Sequence, residues 1–366
     1  MKPLSLRGHA LGGSLPYMGA SKSELFRNNF DYIRIFAATQ VLLFHAVHHL
    51  QIATPEWGSL LAPFSGVPMF FVTSGFLITA SYERSSSVQS YALSRARRIF
   101  PGLWGCIAAT AAVVWFLGYP LISLQGGQWF LTQLAALIYT PNFLREFGFG
   151  SYNGSLWTIP VELQFYATVP VLALLLRRCH HKVTFLLALL FISIALAVLI
   201  RIIAPSVMGL ESTDAAPAFH KLLKYSFISH YYLFLIGAIC YYLALHTSSF
   251  LKGRAAVWLV AVILCHFLVP PTAVWIVLGQ IFLALFTISA AYTFVRRNWL
   301  EGNDISYGTY LYHGLFVNLC VEFGLVGRSA YLYLVLAASY AAGLLSWTLI
   351  EKRLLRRHSH TVQTKP

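Results

Sequence analysis

Residues 30–50 read FDYIRIFAATQVLLFHAVHHL, an apolar run that carries Arg34 and His45 on one helix face. The two residues are eleven positions apart, which is about three turns and about 16 Å along an α-helix. An ionisable residue inside a membrane span costs free energy and normally faces a bundle interior or a wet cavity. The stretch therefore predicts a membrane-spanning helix with a polar track. An Arg34 at the end of the span and a buried structural His45 would give the same pattern.

The composition extends this prediction to the whole chain of 366 residues. Hydrophobic residues make up 58% of it and charged residues 10%, whereas soluble domains carry about 25% charged residues. Because one span needs about 20 residues, we expect an all-α polytopic membrane protein with a bundle of about ten transmembrane helices. The predicted spans are 31–50, 62–80, 102–119, 158–176, 183–203, 228–246, 255–269, 273–295, 305–323 and 330–350.

The net charge of +14 is explained by topology and does not indicate a nucleic-acid partner. Of the 26 basic residues, 20 fall on one side of the predicted spans, and cytoplasmic loops are enriched in Lys and Arg. Both termini are therefore expected in the cytoplasm. We divide the chain into an N-terminal tail (1–29), a transmembrane domain (30–350) and a basic C-terminal tail (351–366). The apolar piece 128–140 is too short to cross, so we interpret it as re-entrant or interfacial.

Polar residues in or beside the other spans are candidate site residues. Ser74, in the stretch GVPMFFVTSGFLI, is either a packing and hydrogen-bonding residue or a nucleophile. Arg97 and Arg98 precede the third span, where they either signal topology or bind a phosphate-rich ligand. Glu162 lies inside the fourth span, where a carboxylate needs a partner or a function. It would orient a histidine or bind a sugar hydroxyl.

Aromatic residues and a second buried histidine accompany these groups. Trp157 and Tyr166 bracket the acid and are either an interfacial aromatic belt or faces for a sugar. His313 shares one helical stripe with Tyr307 and Tyr310 and is either structural or part of a cavity lining.

Metal and disulfide sites are not expected. His45, His48 and His49 have a spacing that permits metal binding, but no cysteine or acidic residue is near them in sequence. The five cysteines lie in predicted spans or beside basic loops, so we expect no disulfides. Glu351, among basic residues at the end of the last span, is interpreted as a cytoplasmic anchor.

Five blocks in this order resemble the membrane-bound acyltransferase-3 family. They are Arg34 and His45 with ten residues between them, GV-x-x-FFV-x-SGFLI from Gly66, the basic run Arg97-Arg98-Ile99-x-Pro101, SLW-x-x-x-VE-x-QFY from Ser155 to Tyr166, and ISY-x-x-YL-x-H from Ile305 to His313. Any one block alone is a weak signal, and the five together are a strong one.

The resemblance implies transfer of an acyl group, commonly acetyl, from cytoplasmic acyl-CoA to a glycan hydroxyl in a bacterial inner membrane. The acceptor would be an extracytoplasmic or lipid-linked glycan, such as lipopolysaccharide or exopolysaccharide. Acyl-CoA would be a co-substrate, with no permanently bound cofactor. Pro68 and Leu163 stand where many relatives have acids, which leaves Glu162 as the main intramembrane carboxylate. We expect no C-terminal esterase-like domain after the last span.

The resulting hypothesis assigns a role to each candidate. His45 deprotonates the acceptor hydroxyl, either directly on the thioester or through an acyl intermediate, and Glu162 orients the histidine or the sugar. The acyl-CoA phosphates meet basic side chains. These are Arg34, Arg97 and Arg98. The substrate is bound or surrounded by Ser74, Trp157, Tyr166 and His313. The loop 204–227, with Glu211, Asp214 and His220, is a candidate for choosing the acceptor.

Two other functions fit the same buried polar groups. A carrier or flippase for a polar lipid-linked sugar would use Arg34, His45 and Glu162 as binding groups, and it would act without acyl-CoA. A membrane sensor or assembly partner with a degenerate site would tolerate His45→Ala without any effect.

Overall fold

The computed structural model describes residues 27–54, 56–205, 217–293, 300 and 303–355. Within these residues every regular element is helical, which confirms the predicted all-α class. The longer helices are α1 (Phe30–His49), α2 (Gly66–Glu83), α3 (Val88–Phe116), α4 (Leu124–Leu134), α5 (Thr158–Arg178), α6 (Lys182–Ile203), α7 (Ala218–Tyr225), α8 (Tyr231–Tyr242), α9 (Ala255–Leu268), α10 (Ala273–Ala291), α11 (Ser306–Glu322) and α12 (Ser329–Ser346).

Among the residues that the structure describes, seven helical stretches are long and apolar enough to cross a membrane. They are Phe30–His49, Gly58–Glu83, Val88–Phe116, Gly154–Arg178, Lys182–Ile203, Ala273–Ala291 and Ser329–Leu355. The other three predicted spans coincide with shorter helices of 12, 14 and 17 residues, α8, α9 and α11. The protein is therefore a multi-pass helical membrane protein. The number of crossings and their sidedness stay predictions.

The helix boundaries of two segments differ from those predicted from the sequence. The third predicted span is the second half of α3, which begins 14 residues earlier and carries the basic run within one continuous helix of 29 residues. The piece predicted at 128–140 overlaps α4 over residues 128–134 only, and the 11 residues of α4 extend for about 16 Å. That is about half the thickness of a bilayer core, so α4 does not span alone. Both predicted tails, except residues 27–29 and 351–355, and residues 206–216 of the loop 204–227, with Glu211 and Asp214, lie outside the described residues.

The chain divides into two compact units. The Glu162 unit comprises Met1–Asn29, Phe70–Arg95 and Val161–Val295, and the His45 unit comprises Phe30–Met69, Ala96–Pro160 and Arg296–Pro366.

In the Glu162 unit, α2 and α8 approach each other at two glycines. A Cβ on Gly75 would lie 2.0 Å from the carbonyl oxygen of Phe234, and one on Gly237 would lie 2.1 Å from that of Val72. Any larger residue would push the helices apart. The small residues of the second block therefore do serve helix packing.

A buried arginine links three further helices of this unit. Arg201 donates hydrogen bonds of 3.0 Å to the carbonyl oxygen of Ala197 and to Oε1 of Gln280, and the Tyr232 hydroxyl donates to the same Gln280 oxygen. These bonds join α6, α8 and α10 at membrane depth.

In the His45 unit, α1, α11 and α12 share one apolar core. The core contains Leu42, Ala46, Leu50, Ile52, Val317, Cys320, Leu332 and Val335. A Cβ on Gly343 of α12 would lie 2.5 Å from Oγ1 of Thr309 in α11. Because α11 packs against both other helices, most of its side chains are buried, and one of its faces meets the polar face of α1.

Candidate active site

The two histidines predicted at membrane depth lie side by side in the His45 unit. Nε2 of His313 is 3.2 Å from Nδ1 of His45, and the ring centroids are 5.2 Å apart. The Nδ1 atom of His313 is 2.6 Å from the carbonyl oxygen of Tyr310, and the His313 side chain is fully buried. The structure thus makes His313 the hydrogen-bonding neighbour of the predicted base.

One turn further along α1, His49 extends this group. Its ring centroid is 5.9 Å from that of His45, and its ring stacks on Phe149 at 3.7 Å with an interplanar angle of 10°. The predicted interfacial residue is therefore held against an aromatic face.

The loop that carries Phe149 is fixed to α11. The backbone N–H of Phe149 donates to Oδ1 of Asn318 at 3.1 Å, and the backbone N–H of Gly148 donates to Oε2 of Glu322 at 2.9 Å. Gly148 has a φ of +59°, and a Cβ there would lie 2.2 Å from Asn318 Oδ1. Sequence reasoning missed Asn318 and Glu322. Their one-turn spacing in α11 was the available signal.

Arg34 and Arg98 share one carboxylate, that of Asp304. Arg34 Nη1 lies 2.5 Å from Asp304 Oδ2, and Arg98 Nη2 contacts the same oxygen. Ser306 donates to Oδ1 through its N–H and its hydroxyl. Burial alone would raise the pKa of Asp304, but the two guanidinium groups and Ser306 together hold it well below the usual value. Asp304 is therefore an ionised bridge between two predicted phosphate-binding residues.

Glu351, interpreted from the sequence as a cytoplasmic anchor, is a buried partner of this cluster. It is 1% exposed, accepts a 2.8 Å hydrogen bond from Ser346, and lies 3.7 Å from Arg98 Nη1. The π-helical turn Trp347–Glu351 brings this side chain inward, and its role as a cytoplasmic anchor stays a prediction.

Arg97 differs from its neighbour Arg98. Among the described residues it makes no salt bridge, and its Nη1 atom is buried without a hydrogen-bond partner. Of the three predicted phosphate-binding residues, Arg97 is thus the one whose charge no described carboxylate neutralises.

The Glu162 unit holds the second polar group. The Ser74 hydroxyl donates to Glu162 Oε1 at 2.9 Å, and the Tyr166 hydroxyl donates to the same oxygen at 2.7 Å. Both bonds go to Oε1, and none within the described residues goes to Oε2. The predicted residues Ser74, Glu162 and Tyr166 are therefore brought together, with Ser74 as a hydrogen-bond donor.

Trp157 ends the short turn Gly154–Trp157 of the His45 unit and is half-buried. Its neighbours Ser155 and Thr158 contact α11, because the Tyr310 hydroxyl donates to the carbonyl oxygen of Ser155 at 2.8 Å and lies 2.7 Å from Thr158 Oγ1.

Within the part of the chain that the structure describes, no group of three histidine, cysteine or acidic residues has a geometry suited to a metal. All five cysteines are free.

A comparison with protein families agrees with this arrangement. The acyltransferase-3 family model, described as an acyltransferase domain, matches residues 27–350. The chain belongs to the acyltransferase-3 family. It is therefore an enzyme, a multi-pass membrane acyltransferase.

Three relatives of this acyltransferase are similar to it along nearly their whole length. Nodulation protein 10 of Rhizobium leguminosarum bv. viciae is 31% identical over 94% of this chain and 98% of its own. The O-acetyl transferase of Shigella phage Sf6 is 27% identical over 91% and 97%. The exopolysaccharide production protein ExoZ of Rhizobium meliloti is 26% identical over 86% and 95%. No solved structure matches significantly.

Proposed function

We propose that this acyltransferase moves an acetyl group from cytoplasmic acetyl-CoA to a hydroxyl of an extracytoplasmic or lipid-linked polysaccharide in a bacterial inner membrane. The relatives named as an O-acetyl transferase and as an exopolysaccharide production protein support the acetyl group and the acceptor class. The observation that carries the proposal is His45 held by His313 within a domain that matches the family.

In the proposed reaction His45 is the general base. It takes the proton of the acceptor hydroxyl while the hydroxyl oxygen attacks the thioester carbonyl. The new C–O bond forms, the C–S bond breaks, and the leaving CoA thiolate receives the proton from His45. Histidine suits both steps because its ordinary pKa lies near neutrality. A route through an acyl intermediate would use the same base.

The donor phosphates are assigned to the arginines. Arg97 offers the charge that no described carboxylate neutralises, so it contacts the phosphates most directly. Arg34 and Arg98, which share the Asp304 carboxylate, add their positive charge. Arg34 and His45 are about 16 Å apart along α1, of the order of a pantetheine arm, so the thioester reaches His45 while the nucleotide stays at the arginines.

The acceptor sugar is assigned to Glu162 and its neighbours. Of the two roles predicted for Glu162, we favour binding a sugar hydroxyl through Oε2, because Ser74 and Tyr166 donate to Oε1. His45 already has the imidazole of His313 within hydrogen-bonding distance. Trp157 supplies an aromatic face for the sugar. The family match favours this transferase over the carrier for a lipid-linked sugar.

The test is acceptor-dependent release of CoA by the purified protein in liposomes with acetyl-CoA and membrane polysaccharide. We expect free thiol to appear with wild-type protein and to fall to background with His45→Ala. The matched control is His48→Ala, which removes an exposed histidine of the same helix and leaves release unchanged. Equal release by wild type and His45→Ala would refute the role of His45. No release by folded wild-type protein would favour the carrier.

A further inference from the structure

We propose that His313 is a positioning residue that fixes the tautomer of His45, so that Nε2 of His45 is the basic nitrogen. The inference rests on the proposed function, in which His45 is the general base, and it changes the role of His313 from lining the substrate cavity to orienting that base.

The first step concerns the protons of His313. Its Nδ1 atom is 2.6 Å from the carbonyl oxygen of Tyr310, and a carbonyl oxygen only accepts hydrogen bonds, so Nδ1 carries a proton. The side chain is fully buried, and its ring has no carboxylate partner among the described residues. A buried imidazolium without such a partner is costly. His313 is therefore neutral, and its Nε2 accepts.

The second step carries the consequence to His45. Its Nδ1 lies 3.2 Å from Nε2 of His313, and because that nitrogen accepts, Nδ1 of His45 carries the proton. A neutral imidazole has one ring proton, so Nε2 of His45 holds the lone pair that removes the acceptor's proton. The same hydrogen bond becomes charge-assisted when His45 is protonated, and it strengthens in the transition state.

The third step is that His313 has little freedom to move. The Tyr310 hydroxyl is held at Ser155 and Thr158. A Cβ on the next residue, Gly314, would lie 2.2 Å from Oδ1 of Asn153. The turn of α11 that presents the imidazole is thus fixed on two sides, as an orienting residue requires.

The experiment compares His313→Gln with His313→Asn. The glutamine amide reaches the Nε2 position, where its oxygen accepts from His45. The asparagine amide reaches only the Nδ1 position, where it keeps a bond to Tyr310 and loses His45. We expect kcat of acetyl transfer to stay within about tenfold of wild type for His313→Gln and to fall about 100-fold or more for His313→Asn, since tautomer errors are this costly. The KM for acetyl-CoA stays unchanged in both variants. Equal losses in the two variants would overturn the proposal.

A second readout does not depend on activity. Ring nitrogen NMR of protein with nitrogen-15 histidine distinguishes the two tautomers, and the His45 signals are assigned by their loss in His45→Ala. We expect the Nδ1–H tautomer in wild type and His313→Gln, and a mixture in His313→Asn. An Nε2–H tautomer in wild type, or no change in His313→Asn, would refute the positioning role. The expected tautomers in a protein without transferase activity would support that role and refute the proposed function.

Discussion

Arg34 and His45 of α1 have partners of opposite kinds. Arg34 forms an ion pair with the carboxylate of Asp304 and keeps its charge, whereas His45 contacts the imidazole of His313. A permanent cation suits phosphate, and a base with a neutral acceptor behind it suits proton removal. The chemistry of each residue therefore follows from its neighbour, and this gives two predictions for single residues.

The first prediction concerns Glu162→Gln. The amide oxygen still accepts from Ser74 and Tyr166, so the fold should persist, but a sugar hydroxyl loses a charged acceptor. Hydrogen bonds to charged groups contribute about 1 kcal/mol more than neutral ones. We therefore expect the KM for the glycan to rise roughly five- to tenfold, with the KM for acetyl-CoA unchanged. Loss of kcat at saturating glycan would instead assign Glu162 to the chemical step.

The second prediction concerns Asp304→Asn, which removes the carboxylate that Arg34 and Arg98 share and leaves Glu351 beside Arg98. Removing one partner of a largely buried ion pair costs about 3 kcal/mol, so the thermal midpoint should fall clearly. The double variant with Arg34→Gln should regain part of the loss. Unchanged stability would mean that the cluster is solvated.

The pH dependence of this cluster has a defined sign. Because the folded pKa of Asp304 is lowered from 3.8, its stabilisation is complete above about pH 5 and is lost as the pH falls further. The difference in stability between wild type and Asp304→Asn should thus be constant from pH 8 to about pH 5 and shrink below that. A difference that shrinks near neutrality would indicate another titrating group.

At the scale of helices, close contacts between backbones determine where the side chains lie. Gly343 contacts Thr309 where α12 crosses α11. Helix α11 carries His313, and Asp304 lies just before the start of this helix. We therefore expect Gly343→Ala to lower the thermal midpoint and the activity together, because the added methyl clashes with backbone at 2.7 Å. The control is Gly279→Ala in α10, where the nearest atom is 3.5 Å away. It should be neutral or slightly stabilising. Equal effects of both changes would contradict the packing argument.

The sequence predicted the helices well and their partners poorly. Apolar runs and spacing within one helix placed Arg34 and His45 on one face, Glu162 inside a span, and small residues at a helix contact. The pairing of His45 with His313 joins residues 268 positions apart, and helical periodicity carries no information about such pairs. Asp304 was missed because it lies outside a span, where a carboxylate needs no partner. The start of α3 was missed because its first turns are polar.

At the scale of the whole molecule, the charge asymmetry predicts the sidedness of the membrane arrangement. Cys179, between α5 and α6, should face the cytoplasm, and Gln125 in α4 should face outward. We expect a membrane-impermeant maleimide to label Gln125→Cys in intact cells, in a background without other cysteines. A variant that keeps Cys179 alone should be labelled only after permeabilisation. The reverse pattern would invert the predicted topology.

The measurement that tests the central claim most directly is transfer of labelled acetyl from acetyl-CoA to membrane polysaccharide in inverted vesicles, with the donor on the cytoplasmic face. The account predicts labelled glycan with wild-type protein and His48→Ala, and none with His45→Ala at matched protein level. Equal labelling by wild type and His45→Ala would contradict the role of His45. Absence of label with folded wild-type protein and supplied glycan would contradict acetyl transfer from acetyl-CoA.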